Sequence, residues 1–125
     1  MTVRQASRRR ERGSVLVEAA LILPILLLLI FGIIDFSRAY NAKQALTHAS
    51  REAVRVFVVT EDAAKTQAAF DAAVVALDGA TLDPMGSGCT PGDEVTATAR
   101  YTFDFLVIPF ASVNMDTEAV MRCGG

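Results

Sequence analysis

Residues 13–38 read GSVLVEAALILPILLLLIFGIIDFSR, and within them residues 14–34 form a long apolar run. As a helix rising ~1.5 Å per residue, this run spans about 30 Å, the thickness of the hydrocarbon core of a bilayer. Pro24 and Gly32 do not forbid this, because both residue types are tolerated in membrane helices. A cleaved secretory signal would have a shorter apolar core followed by a small-residue cleavage site. The run therefore predicts a membrane-spanning helix that stays attached to the chain.

Charge is divided unevenly around this run. Residues 1–12 carry five arginines and one glutamate, whereas residues 35–125 carry seven basic and twelve acidic side chains. Because lysine and arginine resist translocation, the basic segment is predicted to stay in the cytoplasm and the C-terminal portion to lie outside. Clustered arginines also bind nucleic-acid phosphates. Beside a spanning run, however, the cluster is better explained as an orientation signal, so no nucleic-acid partner is expected.

Glu18 is the unexpected residue, because it places a carboxylate near the front of the apolar run. A charge inside a bilayer is costly, although the cost falls toward the interface. Considered alone, Glu18 has two explanations. It is either an interfacial carboxylate favoured by the helix macrodipole or the partner of a nearby cation. The surrounding residues favour the second explanation.

The order of basic leader, Gly13, Ser14, three apolar residues, Glu18 and long apolar helix resembles the class III signal of type IV pilins. In that signal a prepilin peptidase cuts after the glycine. The resemblance implies cleavage between Gly13 and Ser14, which makes Glu18 the fifth residue of the mature chain. Cleavage would create an amine on Ser14, one helical turn from the Glu18 carboxylate. In a filament, the carboxylate could instead neutralise the new amine of a neighbouring subunit.

A longer stretch, residues 13–55, resembles the N-terminal region of the TadE-like family of tight-adherence pilus proteins. The shared pattern is a glutamate, an apolar run containing Leu-Pro, a membrane-edge motif Gly-x-x-acid-Phe-x-Arg and an alanine-rich helix. The membrane-edge motif consists here of Gly32, Asp35, Phe36 and Arg38. One departure is Ala19, where the major pilins usually have tyrosine. With the additional C-terminal region, this departure indicates a minor pilin or pseudopilin.

The resemblance also implies partners. They are a prepilin peptidase, other pilins or pseudopilins and the pilus assembly platform, in addition to membrane lipid. No cofactor and no small-molecule substrate are implied.

Beyond the span, the helical pattern continues. Asp35 and Arg38 are three residues apart and are predicted to form an exposed ion pair at the membrane boundary. Apolar residues then recur at spacings of three and four and form one stripe. They are Ala42, Ala45, Leu46, Ala49, Ala53, Val56 and Phe57. The sequence leaves open whether this stripe packs on the chain's own small domain or on a neighbouring subunit.

Thr60 is placed to cap a second helix over residues 63–77, with Glu61 and Asp62 in its first turn. Phe70, Val74 and Leu77 fall on one face of that helix. Residues 79–93 are rich in Gly, Pro, Ser and Asp and are predicted to form a loop.

Residues 94–105 alternate between apolar and polar side chains, which predicts a half-buried strand. Pro109 interrupts the pattern, and residues 113–122 are predicted to form a returning strand. Because a two-stranded hairpin is marginal alone, it is expected to pack against a helix.

The predicted fold class is therefore α+β. It comprises a long N-terminal helix with a transmembrane half and an extracytoplasmic amphipathic half, a second helix, and a small antiparallel sheet packed on the long helix. The pilin-like resemblance implies the same arrangement.

Cys89 precedes the first strand and Cys123 follows the second. Two cysteines in a small extracytoplasmic domain favour a disulfide between the outer ends of the hairpin. Two unpaired thiols are the alternative. His48 is the only histidine and lies on the distant helix, so no metal site is expected.

Catalytic chemistry is not predicted. The sequence has no nucleophile motif, no zinc-protease motif and no phosphate-binding glycine loop. His48 is expected on the surface of its helix. The protein is therefore not expected to be an enzyme.

Four segments are predicted. Residues 1–13 are a basic cytoplasmic leader that is cleaved, and residues 14–34 are the transmembrane helix. Residues 35–59 continue it as an amphipathic helix, and residues 60–125 form a small extracytoplasmic α+β domain. The protein is predicted to be a single-pass protein of the cytoplasmic membrane that can enter an extracellular pilus.

The favoured function is that of a minor pilin or pseudopilin of a tight-adherence pilus and secretion apparatus. The alternative is an uncleaved, membrane-tethered binding module of the cell envelope. A bitopic enzyme, or a regulator of one, is a formal third possibility.

Overall fold

The computed structural model describes the backbone of residues 3–86, 88–108 and 110–124 and, from residue 13 onward, their side chains. One continuous helix, α1 (Val3–Thr60), contains both the apolar run and the amphipathic segment. Its 58 residues correspond to a length of about 87 Å. From residue 13 onward the first buried side chain is that of Asp35. We call residues 13–34 the uncovered half of α1. The part of the helix from Asp35 onward supports the rest of the chain.

The turn after α1 corrects the predicted helix cap. Thr60 is the last residue of α1, and its hydroxyl donates to the carbonyl oxygen of Val56 at 2.8 Å. Glu61 adopts a positive φ of 50° and reverses the chain. Asp62 then caps the second helix, because its Oδ1 accepts hydrogen bonds from the amides of Ala64 (2.9 Å) and Lys65 (3.2 Å). The cap lies two residues later than predicted, because the Thr60 oxygen accepts only from the amide of Asp62, at 3.4 Å, and from no amide of the second helix.

Helix α2 (Ala63–Ala73) ends four residues earlier than predicted. The Val74 amide still donates to the carbonyl of Phe70, but the chain then turns, with the Leu77 amide donating to the Val74 carbonyl at 2.7 Å. This turn lets Phe70, Val74 and Leu77 all enter the core, as predicted from their shared face.

Three antiparallel strands form one sheet in the order β1 (Thr81–Leu82), β2 (Glu94–Asp104) and β3 (Ser112–Arg122). The hairpin of β2 and β3 confirms the two predicted strands, and its register pairs Asp104 with Ser112 at one end and Glu94 with Arg122 at the other. Strand β1 lies in the segment predicted as loop. It is too short to give a periodic signal, and it forms because Thr81 pairs with Arg100. The predicted break at Pro109 lies outside the described residues.

The core is built where the amphipathic half of α1 meets α2 and the sheet. Its buried members are Ala42, Leu46, Ala49, Ala53, Phe70, Val74, Leu77, Ala99 and Phe103. The apolar stripe of α1 therefore packs on the chain's own domain, which decides between the two partners that the sequence left open. Three details differ: Ala45 and Val56 are half-buried, whereas Val54, outside the predicted stripe, is buried against Ala97 and Ala119. The predicted α+β class, with a small sheet on the long helix, is confirmed.

Candidate functional site

The uncovered half of α1 is the most unusual surface of the molecule. All residues from 13 to 34 are exposed, and this part of the helix reaches a mean hydropathy of 2.8 over an 18-residue window. Within the described residues α1 is the one helix long and apolar enough to cross a membrane. An apolar surface of this extent is not stable in water, since monomeric soluble proteins rarely expose large contiguous apolar patches. The segment is therefore compatible with a single-pass membrane protein.

The predicted processing residues lie at the start of this uncovered half. Gly13 and Ser14 are exposed and helical, and a Cβ added to Gly13 would meet no described side chain or other element within 4 Å. Glu18 is exposed one turn further along the same helix. The structure thus brings these three residues to one end of the apolar surface. Their roles in cleavage and assembly stay predictions.

The membrane-edge motif is arranged differently from the prediction. Gly32 and Phe36 are exposed, but the Asp35 side chain is buried, with a relative exposure of 4%. Asp35 accepts hydrogen bonds from the amide of Leu106 at 3.0 and 3.2 Å and from the amide of Val107 at 3.0 Å. The prediction that Asp35 is exposed is therefore wrong. The carboxylate is withdrawn from solvent because the connection between β2 and β3 closes over it.

Arg38 contacts the same carboxylate, and we call Asp35, Arg38, Leu106 and Val107 the Asp35 cluster. Its Nη1 lies 3.4 Å from Oδ1 of Asp35, so the predicted pair does form. The guanidinium carbon also lies 5.3 Å from the centroid of the Phe103 ring, within the range of a cation–π contact. Phe103 in turn packs edge-to-face against Phe105, with 5.3 Å between ring centroids. Arg38 thus connects the buried carboxylate to the end of strand β2.

The electrostatic state of Asp35 follows from these contacts. The hydrogen bond from the Val107 amide, together with that from Leu106 and the charge of Arg38, lowers the pKa of the Asp35 carboxyl below its usual 3.8, although burial acts in the opposite direction. An ionised carboxylate that accepts amide hydrogen bonds is favoured over the acid. Asp35 is therefore an anion that holds the β2–β3 connection against α1.

Replacing Asp35 by asparagine is expected to weaken this closure and flatten the acid sensitivity of the fold. Since the folded-state pKa is below the unfolded value, the stabilisation is present above pH about 4 and is lost as the pH falls through the folded-state pKa. Asp62, whose pKa is also lowered, first by its hydrogen bond from the Lys65 amide, titrates in the same window, so part of the acid sensitivity will persist. The Tm should be followed against pH, together with hydrogen exchange at the Leu106 and Val107 amides.

A matched control is Asp104→Asn, which changes an exposed carboxylate at the end of β2. We expect faster exchange at both amides in Asp35→Asn only. Identical pH profiles and identical exchange for the two variants would contradict the role assigned to Asp35.

Further polar contacts hold β3 on α1, and sequence reasoning missed them. Lys43 donates to the main-chain carbonyl of Asp116. The buried hydroxyl of Thr117 lies 3.4 Å from both the Leu46 carbonyl oxygen and the hydroxyl of Ser50. Neither contact has a local sequence signal, because the partners are about 70 residues apart.

The remaining predicted site residues lie away from this cluster. Cys89 and Cys123 are joined by a disulfide, with 5.5 Å between their Cα atoms. The bond lies at the open end of the hairpin, beyond the pair Glu94–Arg122, whereas Asp35 binds the turn end. His48 is exposed on α1, and the described residues contain no group of three or more metal-ligating side chains.

Comparison with known proteins addresses the same region. No curated protein and no solved structure matches the chain. Residues 13–55 match the family model described as TadE-like protein. The match begins at Gly13, contains the uncovered half of α1 together with Asp35 and Arg38, and ends at Arg55, before α2 and the sheet. The resemblance predicted from the sequence is thus confirmed for residues 13–55, which are similar to the TadE-like family.

Proposed function

We propose that this chain is a minor pilin or pseudopilin of a tight-adherence pilus and secretion apparatus, and that it acts in pilus assembly and adhesion. The observation that carries the proposal is the division of α1 at Asp35. From residue 13 to residue 34 the helix is exposed on all sides and almost entirely apolar, and after Asp35 one face of it packs under its own domain. A helix that is apolar all round requires a surrounding apolar medium. Lipid supplies that medium before assembly, and the helices of neighbouring subunits supply it in a filament.

Processing by a prepilin peptidase between Gly13 and Ser14 is part of this proposal. Both residues are exposed at the end of the apolar helix, where a membrane enzyme can reach them. Cleavage would leave a cationic amine on Ser14, and Glu18 supplies the anion one turn away or in the next subunit. Either pairing relieves a charge that an apolar medium penalises.

The remaining proposed partners follow from this role. They are other pilins or pseudopilins, which would pack on the uncovered half of α1, and the assembly platform. The arginine-rich leader is proposed to stay cytoplasmic and the domain after Asp35 to lie outside the cytoplasmic membrane. The proposed role is structural and requires no catalysis by this chain.

The test is the N-terminal sequence and intact mass of the protein extracted from the membranes of its native host. We expect a chain that begins at Ser14, and we expect Gly13→Ala to retain the leader. Gly32→Ala is the matched control, because it is the same substitution on the same helix and its added Cβ also meets nothing within 4 Å. A full-length chain in cells with an active prepilin peptidase would contradict the proposal and favour the uncleaved, membrane-tethered binding module.

A further inference from the structure

The connection between β2 and β3 exposes an unusual set of apolar side chains. We call the described residues 105–108 and 110–111 the edge loop. Leu106, Ile108 and Phe110 are 67%, 61% and 104% exposed, respectively. Phe110 also has a φ of 85°, a backbone conformation that is uncommon for a bulky residue. Single exposed apolar residues are ordinary on protein surfaces, but three large ones within five residues of one loop form a patch that requires an explanation.

The level of the edge loop along α1 is fixed by Asp35. The Asp35 carboxylate accepts the amide hydrogen bonds of Leu106 and Val107, at the first two positions after Phe105. Asp35 directly follows the last residue of the uncovered half. The edge loop therefore lies beside the point where α1 leaves its apolar medium. On α1 itself, Phe36 and Tyr40 are exposed next to this point.

We propose that the edge loop inserts Leu106, Ile108 and Phe110 into the boundary between headgroups and acyl chains of the bilayer that α1 crosses. This inference rests on the membrane placement in the proposed function. Tryptophan and tyrosine are enriched at this depth, and apolar faces of peripheral segments, rich in Phe and Leu, bury about 5–10 Å into it. Lipid is chosen as the occupant because the loop is hydrogen-bonded to Asp35, the residue that directly follows the uncovered helix surface. The domain thus has a second membrane attachment, which holds the hairpin at a fixed orientation to the bilayer before assembly.

The chain contains no tryptophan, so single tryptophans can report depth in the full-length protein. Three variants are reconstituted in phosphatidylcholine nanodiscs whose acyl chains are either brominated or unmodified. Phe110→Trp tests the edge loop, and Phe31→Trp is the reference inside the span. Val59→Trp is the control, because Val59 is exposed on the same helix about 37 Å beyond residue 34 at 1.5 Å per residue. We expect bromine to quench Phe110→Trp and Phe31→Trp but not Val59→Trp.

The outcomes separate this inference from the proposed function. Quenching of Phe31→Trp with none of Phe110→Trp would overturn the lipid contact and leave the spanning helix intact. No quenching of Phe31→Trp would overturn the membrane placement itself, and this inference with it. Blue-shifted emission of Phe110→Trp without quenching, reversed at one chain per nanodisc, would show that a second copy covers the loop instead of lipid. Any of these three results would reject the proposal.

Discussion

Replacing Glu18 by glutamine is expected to leave the chain inserted and processed but to remove it from assembled pili. Glutamine keeps the shape of the side chain and removes its charge, so any loss reports the charge alone. In an apolar filament interior, the amine created on Ser14 would then lack a counterion. Removing one partner of a buried ion pair leaves an uncompensated charge, and we expect incorporation to fall by more than about tenfold.

The measurement compares the chain in sheared pili with the chain left in the membrane fraction, together with its intact mass. Glu52→Gln is the matched control, since it makes the same change on the same helix beyond the uncovered half, where Glu52 lies 4.0 Å from Arg55. Glu18→Asp should retain partial incorporation, because it keeps the charge on a shorter side chain. Normal incorporation of Glu18→Gln would contradict the assembly role of Glu18.

The features predicted correctly from sequence are those with a local signal. The uncovered helix follows from 21 consecutive residues with one charge, and the two long strands follow from alternation, which is stronger in β2 than in β3. In β2 the core face, including Ala97, Ala99 and Phe103, is buried as that alternation requires, whereas in β3 Val113 and Met121 are exposed. Such patterns are sufficient because burial of one face repeats with the period of the element.

Two of the features predicted wrongly, the exposed state of Asp35 and the loop at residues 81–82, depend on partners distant in the sequence. Asp35 and Arg38 form an ordinary i, i+3 pair in the sequence, and nothing near them indicates that the Leu106 amide, 71 residues away, binds the same carboxylate. Strand β1 likewise exists because strand β2 offers it an edge. Burial of an acidic residue such as Asp35 can be predicted only when the distant loop that covers it is known.

The family match divides the chain into a part that carries the proposed functions and a part that supplies backbone contacts to it. Residues 13–55 contain the apolar helix, Glu18 and Asp35, and these residues carry the proposed processing and assembly functions. The sheet and α2 lie outside the match, and so does the connection between β2 and β3, which supplies the amides that bind Asp35. The C-terminal domain thus contributes to the site through its backbone, where side-chain identity is weakly constrained.

The double variant Cys89→Ser, Cys123→Ala is expected to lower the free energy of unfolding of the domain by about 3–4 kcal/mol, because the disulfide closes a loop with a sequence separation of 34. Alanine is chosen at position 123 because that side chain is buried, whereas Cys89 is partly exposed. For a domain of this size the Tm should fall by more than about 12 °C. The loss should concentrate at the open end of the hairpin, where the Cys123 amide donates to the Asp93 carbonyl at 2.8 Å.

The same bond tests the side of the membrane on which the domain lies. Disulfides persist in oxidising compartments and are rare in the cytoplasm, so alkylation of the protein from its native host should modify neither cysteine until a reductant is added. Reductant should lower the Tm of the unmodified chain toward that of the double variant and leave the double variant unchanged. Two freely alkylated cysteines in the native protein would place the domain in a reducing compartment. That result would contradict the proposed orientation, even if the arginine-rich leader had been removed.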